Sequence, residues 1–114
     1  MAKKAAGGKR VDAKARSFVD FDKRFPEVSE AYEALGEATH AAGPLTVRER
    51  RLVKLAIAVG GRLEGAVRSH ARRATREGIE RAALDQVAVL AVSTSGLPTA
   101  VATLSWIDAA LGKA

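Results

Sequence analysis

The chain has 114 residues, of which 47% are apolar, 28% charged and 4% aromatic, with a formal charge of +6 and no cysteine. That length supports one hydrophobic core without a metal or disulfide staple, and the composition excludes a disordered, fibrous or membrane-spanning chain. Without a thiol there is no nucleophilic cysteine, no redox Cys-x-x-Cys pair, no thiolate zinc site and no iron–sulfur cluster. Two histidines, His40 and His70, make no metal site by themselves, so neither metal nor cofactor is expected.

In chain order, residues 1–16 hold six bases against Asp12, a balance of +5, and show no apolar pattern. They read as a flexible basic arm, either docking onto a nucleic acid or another acidic surface or serving as a solubilising or partner-tethering extension. The arm lacks the apolar centre of a secretory signal, so a cytoplasmic protein is expected. Residues 17–114 read as a single helical domain. A short amphipathic helix over Ser17–Arg24 precedes Pro26, which can open the next helix at its first position. That second helix should run to about Ala42, with Val28, Ala31, Tyr32, Leu35 and Ala38 on one stripe and Glu27, Glu30, Glu33 and Glu37 opposite.

After the stop at Gly43-Pro44, Thr46 and Glu49 have the spacing of a capping box, followed by a stripe of Leu52, Leu55, Ala56 and Val59 that ends at Gly60-Gly61. The next helix should bury Leu63, Ala66, Val67, His70, Ala71 and Ala74, turn Arg68, Arg72, Arg73 and Arg76 outward, and end at Gly78. A fifth helix over about Arg81–Ser95 is apolar nearly all round, which suits a central position or a subunit interface. The uncharged stretch Gln86–Ile107 is long enough to raise the question of a membrane span, but Ser93, Thr94, Ser95, Gly96 and Pro98 divide it into two helices, so no span is expected. The last helix carries Val101, Leu104, Trp106, Ile107 and Leu111. The fold class is therefore all-α, a bundle of five to six helices. Its many alanine contacts bury little area per residue, and a homo-oligomer is the expected remedy.

His70 is the residue best suited to chemistry, because an imidazole on a buried stripe can act as general acid or base if a carboxylate orients it. Glu64 lies six residues earlier, about 600° around the helix, so the two cannot form a dyad within one helix. A partner must come from elsewhere, such as Glu49, Glu37 or a neighbouring subunit; otherwise His70 is a histidine hydrogen-bonded inside a helix interface. The row Arg68, Arg72, Arg76, with Arg73 beside it, is either a clamp for a carboxylate or phosphate or a solvated face paired with acids. No phosphate loop, serine elbow or metal-ligand spacing occurs.

The run Gly43-Pro44-Leu45-Thr46 then Arg48-Glu49-Arg50-Arg51-Leu52-Val53-Lys54-Leu55-Ala56-Ile57-Ala58, with Leu63-Glu64-Gly65-Ala66-Val67-Arg68-Ser69-His70, Arg73-Ala74, Glu77-Gly78 and Gly96-Leu97-Pro98, resembles the carboxymuconolactone decarboxylase-like family. That family includes the alkylhydroperoxidase D-type thiol peroxidases, and the resemblance covers about residues 26–111. In the peroxidase branch the landmark is Cys-x-x-Cys-x-x-x-His, with a glutamate one helix earlier. Aligned on His70, the cysteines fall on Leu63 and Ala66 and the glutamate falls at or near Arg51, so of these landmarks only the histidine is kept. Thiol peroxidation needs two thiols, and peroxiredoxin-type activity would here describe ancestry alone. The decarboxylase branch implies a small organic acid bound between helices, often at a subunit junction in a trimer or hexamer. Under it His70 moves a proton, with Glu64 or Glu49 as further catalytic candidates, and Arg51 or Arg68 holds the substrate carboxylate. The alternatives are a relative that has lost catalysis and a non-catalytic interaction module with a basic docking arm.

Overall fold

A computed structural model describes residues 16–113; most of the basic arm lies outside the described residues. The described residues are helical and fall into two compact units, a helix pair up to residue 46 and a four-helix body from Val47 onward. The helix pair consists of α1 (Arg16–Arg24) and α2 (Pro26–His40), and Pro26 sits in the first turn of α2, where its missing N–H costs nothing. Ser29 Oγ donates to Asp22 Oδ1 at 2.6 Å, and the rings of Phe21 and Phe25 lie 5.3 Å apart, so local contacts tie the two helices together. No residue of either helix is buried, and the stripe expected to face a core is exposed, with Tyr32 at 72%. The periodicity is right, but nothing within this unit is wide enough to cover it.

The body contains α3 (Val47–Gly60), α4 (Glu64–Arg76), α5 (Arg81–Leu90), a 3₁₀ turn (Ala91–Ser93) and α6 (Leu97–Leu111). α4 packs against both α3 and α6, and α5 lies on α6. The core is small but closed: Leu55, Val67, Leu84 and Ile107 are wholly inaccessible, with Ala58, Ala71, Ala74, Ala88, Ala91 and Ala100 between them. Alanines let the helix axes approach, and the few large residues fill the remaining space.

The structure departs from the sequence reading along the fifth helix and at the start of α4. The fifth helix ends at Leu90 rather than Ser95, because the chain tightens into the 3₁₀ turn, where the Thr94, Ser95 and Gly96 amides all return to the Ala91 carbonyl. It is apolar nearly all round but not central within the chain: Leu84 and Ala88 face the core, whereas Val89, Leu90 and Val92 are exposed. Leu63, expected on the buried stripe of α4, precedes that helix and is 55% exposed.

Helix ends in this body are built with care. At the end of α4 the Ile79 amide reaches the Ala74 carbonyl and the Gly78 amide that of Thr75, a Schellman arrangement with Gly78 at φ +86° and Ile79 buried. The end of α3 has the same bonds, Leu63 to Ala58 and Arg62 to Val59. Here the left-handed position is not one of the two preceding glycines but Arg62, at φ +54°. A non-glycine in this region costs about 1 kcal/mol or more. Its side chain offsets that cost, because Nη1 donates to Thr99 Oγ1 at 2.8 Å and the guanidinium lies over the Trp106 ring at 5.9 Å. The α3–α4 turn is thereby tied to α6, and Arg81 ties the start of α5 to the end of α6 by donating to the Gly112 carbonyl at 2.7 Å and to Asp108.

Candidate functional site

The polar cluster of the body lies between α3 and the second half of α4. Arg51 stands one turn into α3 on its inward face, only 6% exposed. An isolated guanidinium could not be buried to that degree, so it must be fully engaged by partners. Nε and Nη2 each donate to one oxygen of the Glu77 carboxylate, both at 3.0 Å, and Nη1 bonds to His70 Nδ1 at 2.8 Å. The planar fork of arginine suits this two-oxygen, one-nitrogen arrangement, which a lysine could not reproduce.

The register of α4 makes the cluster possible. Glu77 follows His70 by seven residues, about two turns, and so returns to the same face. It caps the C-terminus of α4, where the unpaired carbonyls of the helix disfavour a negative charge. Arg51 reverses that preference locally, and the Schellman turn at Gly78 holds the carboxylate in place.

The electrostatics at His70 are one-sided. Burial is the largest influence, followed by the charges of Arg51, Lys54 and Arg73, and against them Glu77 alone favours protonation; together they push the imidazole down from its ordinary 6.5 to about 4. His70 is therefore neutral throughout the physiological range. Lys54, one turn beyond Arg51, is also shifted down, first by burial and then by Arg51, Arg73 and Arg50. The arrangement offers a neutral imidazole in a positive field, which suits binding an anion better than it suits storing a proton.

The other candidate residues lie as follows. Glu64 opens α4 and pairs with Arg68 one turn on, so that acid and that arginine answer each other. Glu49 sits exposed in the first turn of α3. Neither Glu49 nor Glu64 is among the charges that act on His70. Within the arginine row, Arg72 is half-buried and shifted down by burial and by its neighbours Arg68 and Arg76. Sequence reasoning missed Glu77 as the acid of the cluster. The seven-residue spacing to His70 on one helical face was the available signal.

A second feature is an open, mainly apolar groove of about 500 Å³ between α3 and α5, lined by Leu52, Val53, Ala56, Val87 and Leu90, with Arg48 and Gln86 among its polar residues. Arg48 grips Glu80, just before α5, with two bonds of 2.9 and 3.2 Å, and so holds that edge. Ile57, also on α3, is 66% exposed. Among the described residues no group of acids and histidines could hold a metal ion, and no helix is long and apolar enough to cross a membrane.

The model of the carboxymuconolactone decarboxylase family matches residues 26–109. A Haemophilus influenzae protein described as "Uncharacterized protein" is 37% identical over 59 residues, 52% of each chain, so the alignment spans about half the length of that curated relative. No solved structure matches.

Proposed function

The chain belongs to the carboxymuconolactone decarboxylase family, and from that premise we propose that it is a thiol-independent member acting on a small organic acid at the cluster around His70. The observation that carries this reading is the contact of buried Arg51 with His70 and Glu77, a polar arrangement with more internal bonding than helix packing alone requires. Lys54 and Arg73 supply the positive field that draws a carboxylate towards the imidazole. Arg51 supports the site from within rather than as the first hand on a substrate, since Nε, Nη1 and Nη2 all hold partners inside the chain. Arg68, paired with Glu64, and the exposed Glu49 are subsidiary candidates. With leucine and alanine at the positions where peroxidases of this family carry cysteine, peroxide reduction through thiols is outside its chemistry.

The test is consumption of a panel of small mono- and dicarboxylic acids, lactones included, by the full chain and by His70→Ala. Turnover that the variant loses at unchanged hydrodynamic size supports the reading, and turnover that survives in the variant overturns it. Hydroperoxide with a dithiol reductant should show background only; sustained peroxide consumption would remove the thiol-free premise.

A second reading is favoured by the groove between α3 and α5 and by exposed Ile57, Val89, Leu90 and Val92. In it the chain is an oligomeric interaction module, a trimer or hexamer, whose basic arm docks on an acidic surface. Light-scattering mass across a dilution series, and binding to an acidic surface at two salt concentrations with and without residues 1–16, test the two halves of that reading.

A further inference from the structure

We propose that Glu77 is the positioning residue of this site: acting through Arg51, it fixes His70 as the tautomer protonated on Nε2, so that the ring presents a hydrogen-bond donor to an anionic oxygen and no base. A guanidinium has donors only and stays protonated under all ordinary conditions. In a 2.8 Å contact between Arg51 Nη1 and His70 Nδ1 the arginine must therefore give the hydrogen, and Nδ1 must accept it through its lone pair. A neutral imidazole that accepts at Nδ1 carries its proton at Nε2.

What holds the donor at Nδ1 is the other side of the fork. Arg51 has a long side chain with several rotatable bonds, and one hydrogen bond to a neutral ring would not fix it. The two 3.0 Å bonds to Glu77 fix both the plane and the rotation of the guanidinium, which leaves Nη1 directed at the ring. Glu77 belongs to the capped end of α4 and His70 to the same helix two turns earlier, so the acid and the imidazole move as one rigid piece. The remaining charges that act on the ring are Lys54 from α3 and Arg73 from α4. Both are cations, and both favour an anion near the ring over a second proton on it. A neutral, fixed imidazole N–H in a positive field stabilises negative charge that develops on a substrate oxygen, without needing to reorganise.

The bearing of this on substrate rests on the reading of the preceding subsection, whereas the tautomer does not, and the experiment separates them. The imidazole ¹⁵N signals of His70 in the full chain report tautomer and titration directly. The native protein should show the Nε2-protonated form alone from pH 6 to 8, with a midpoint near 4. In Glu77→Gln the freed guanidinium should let the second tautomer appear, whichever way the midpoint moves, since loss of the carboxylate lowers it and departure of Arg51 raises it. Glu77→Asp, which keeps the charge, should recover most of the native pattern. Arg51→Lys keeps a cation but has no fork; it should also release the second tautomer, and it serves where Glu77→Gln fails to fold. If Glu77 acted only as a nearby negative charge, Glu77→Gln would lower the midpoint and leave the tautomer pure, and that result overturns the proposal. A native spectrum of the expected form in a protein inert towards every acid tested would keep the positioning role and discard the proposed activity.

Discussion

In the four-helix body Leu55, Val67, Leu84 and Ile107 are sealed from solvent, whereas along α1 and α2 no side chain is buried and Phe21, Val28, Tyr32 and Leu35 stand exposed. Both regions have an apolar helical stripe in sequence. The difference lies in what faces the stripe. α4 has α3 on one side and α6 on another, while two short helices joined at Pro26 cannot enclose each other. Amphipathic spacing therefore decides which side of a helix is apolar and not whether that side is covered.

The largest effect should come from the body. Leu84→Ala leaves a void among inflexible alanine contacts and should cost about 2–5 kcal/mol, read as a fall in the denaturant midpoint. Next is Arg51→Met, which removes three bonds from a charged donor and should cost about 1.5–3 kcal/mol, the lower part applying because Glu77 is 30% exposed and solvent can take over part of its partnership. A smaller change than that would mean the cluster is not held as drawn.

The third measurement is the pH dependence of stability. The folded state holds His70 at about 4 against an ordinary 6.5, so between these values the unfolded chain binds more protons. This contribution is complete above pH 6.5 and is lost as pH falls towards 4; His70→Gln should flatten that part of the profile relative to native protein. Thr103→Val is smaller and of opposite sign. The Thr103 hydroxyl is fully buried with no hydrogen-bond partner among the described residues, so an apolar replacement of the same shape should stabilise by about 1 kcal/mol.

The smallest effect should be Tyr32→Ser on α2, within about 0.5 kcal/mol, because that side chain is already in water. This is also the prediction best able to break the comparison. A loss as large as that of Leu84→Ala would show that the helix pair is covered in solution by something that brings it the layer it lacks.

Much of the helical plan was legible. Pro26, Gly78 and Gly96-Leu97-Pro98 mark real boundaries, because a missing amide hydrogen or a left-handed turn is a local property of one or two residues. The Arg62 turn was not legible. Two glycines precede it, and only the Thr99 hydroxyl and the Trp106 ring, far along the chain, make the arginine acceptable in their place. The site divides in the same way. His70 was visible as a polar residue on an apolar stripe, and the family landmarks placed Arg51 at the corresponding position of the preceding helix. That Arg51 would meet Glu77 depends on the distance between α3 and α4, which no pattern within either helix encodes.

The sequence by itself determined the absence of thiol chemistry, the helical class and which face of each helix is apolar, since composition and a 3.6-residue period need no knowledge of neighbours. Tertiary structure alone decided which of those faces is covered, which acid answers the buried arginine, and on which nitrogen His70 carries its proton. Those depend on distances across helices, where a shift of one turn would exchange every partner.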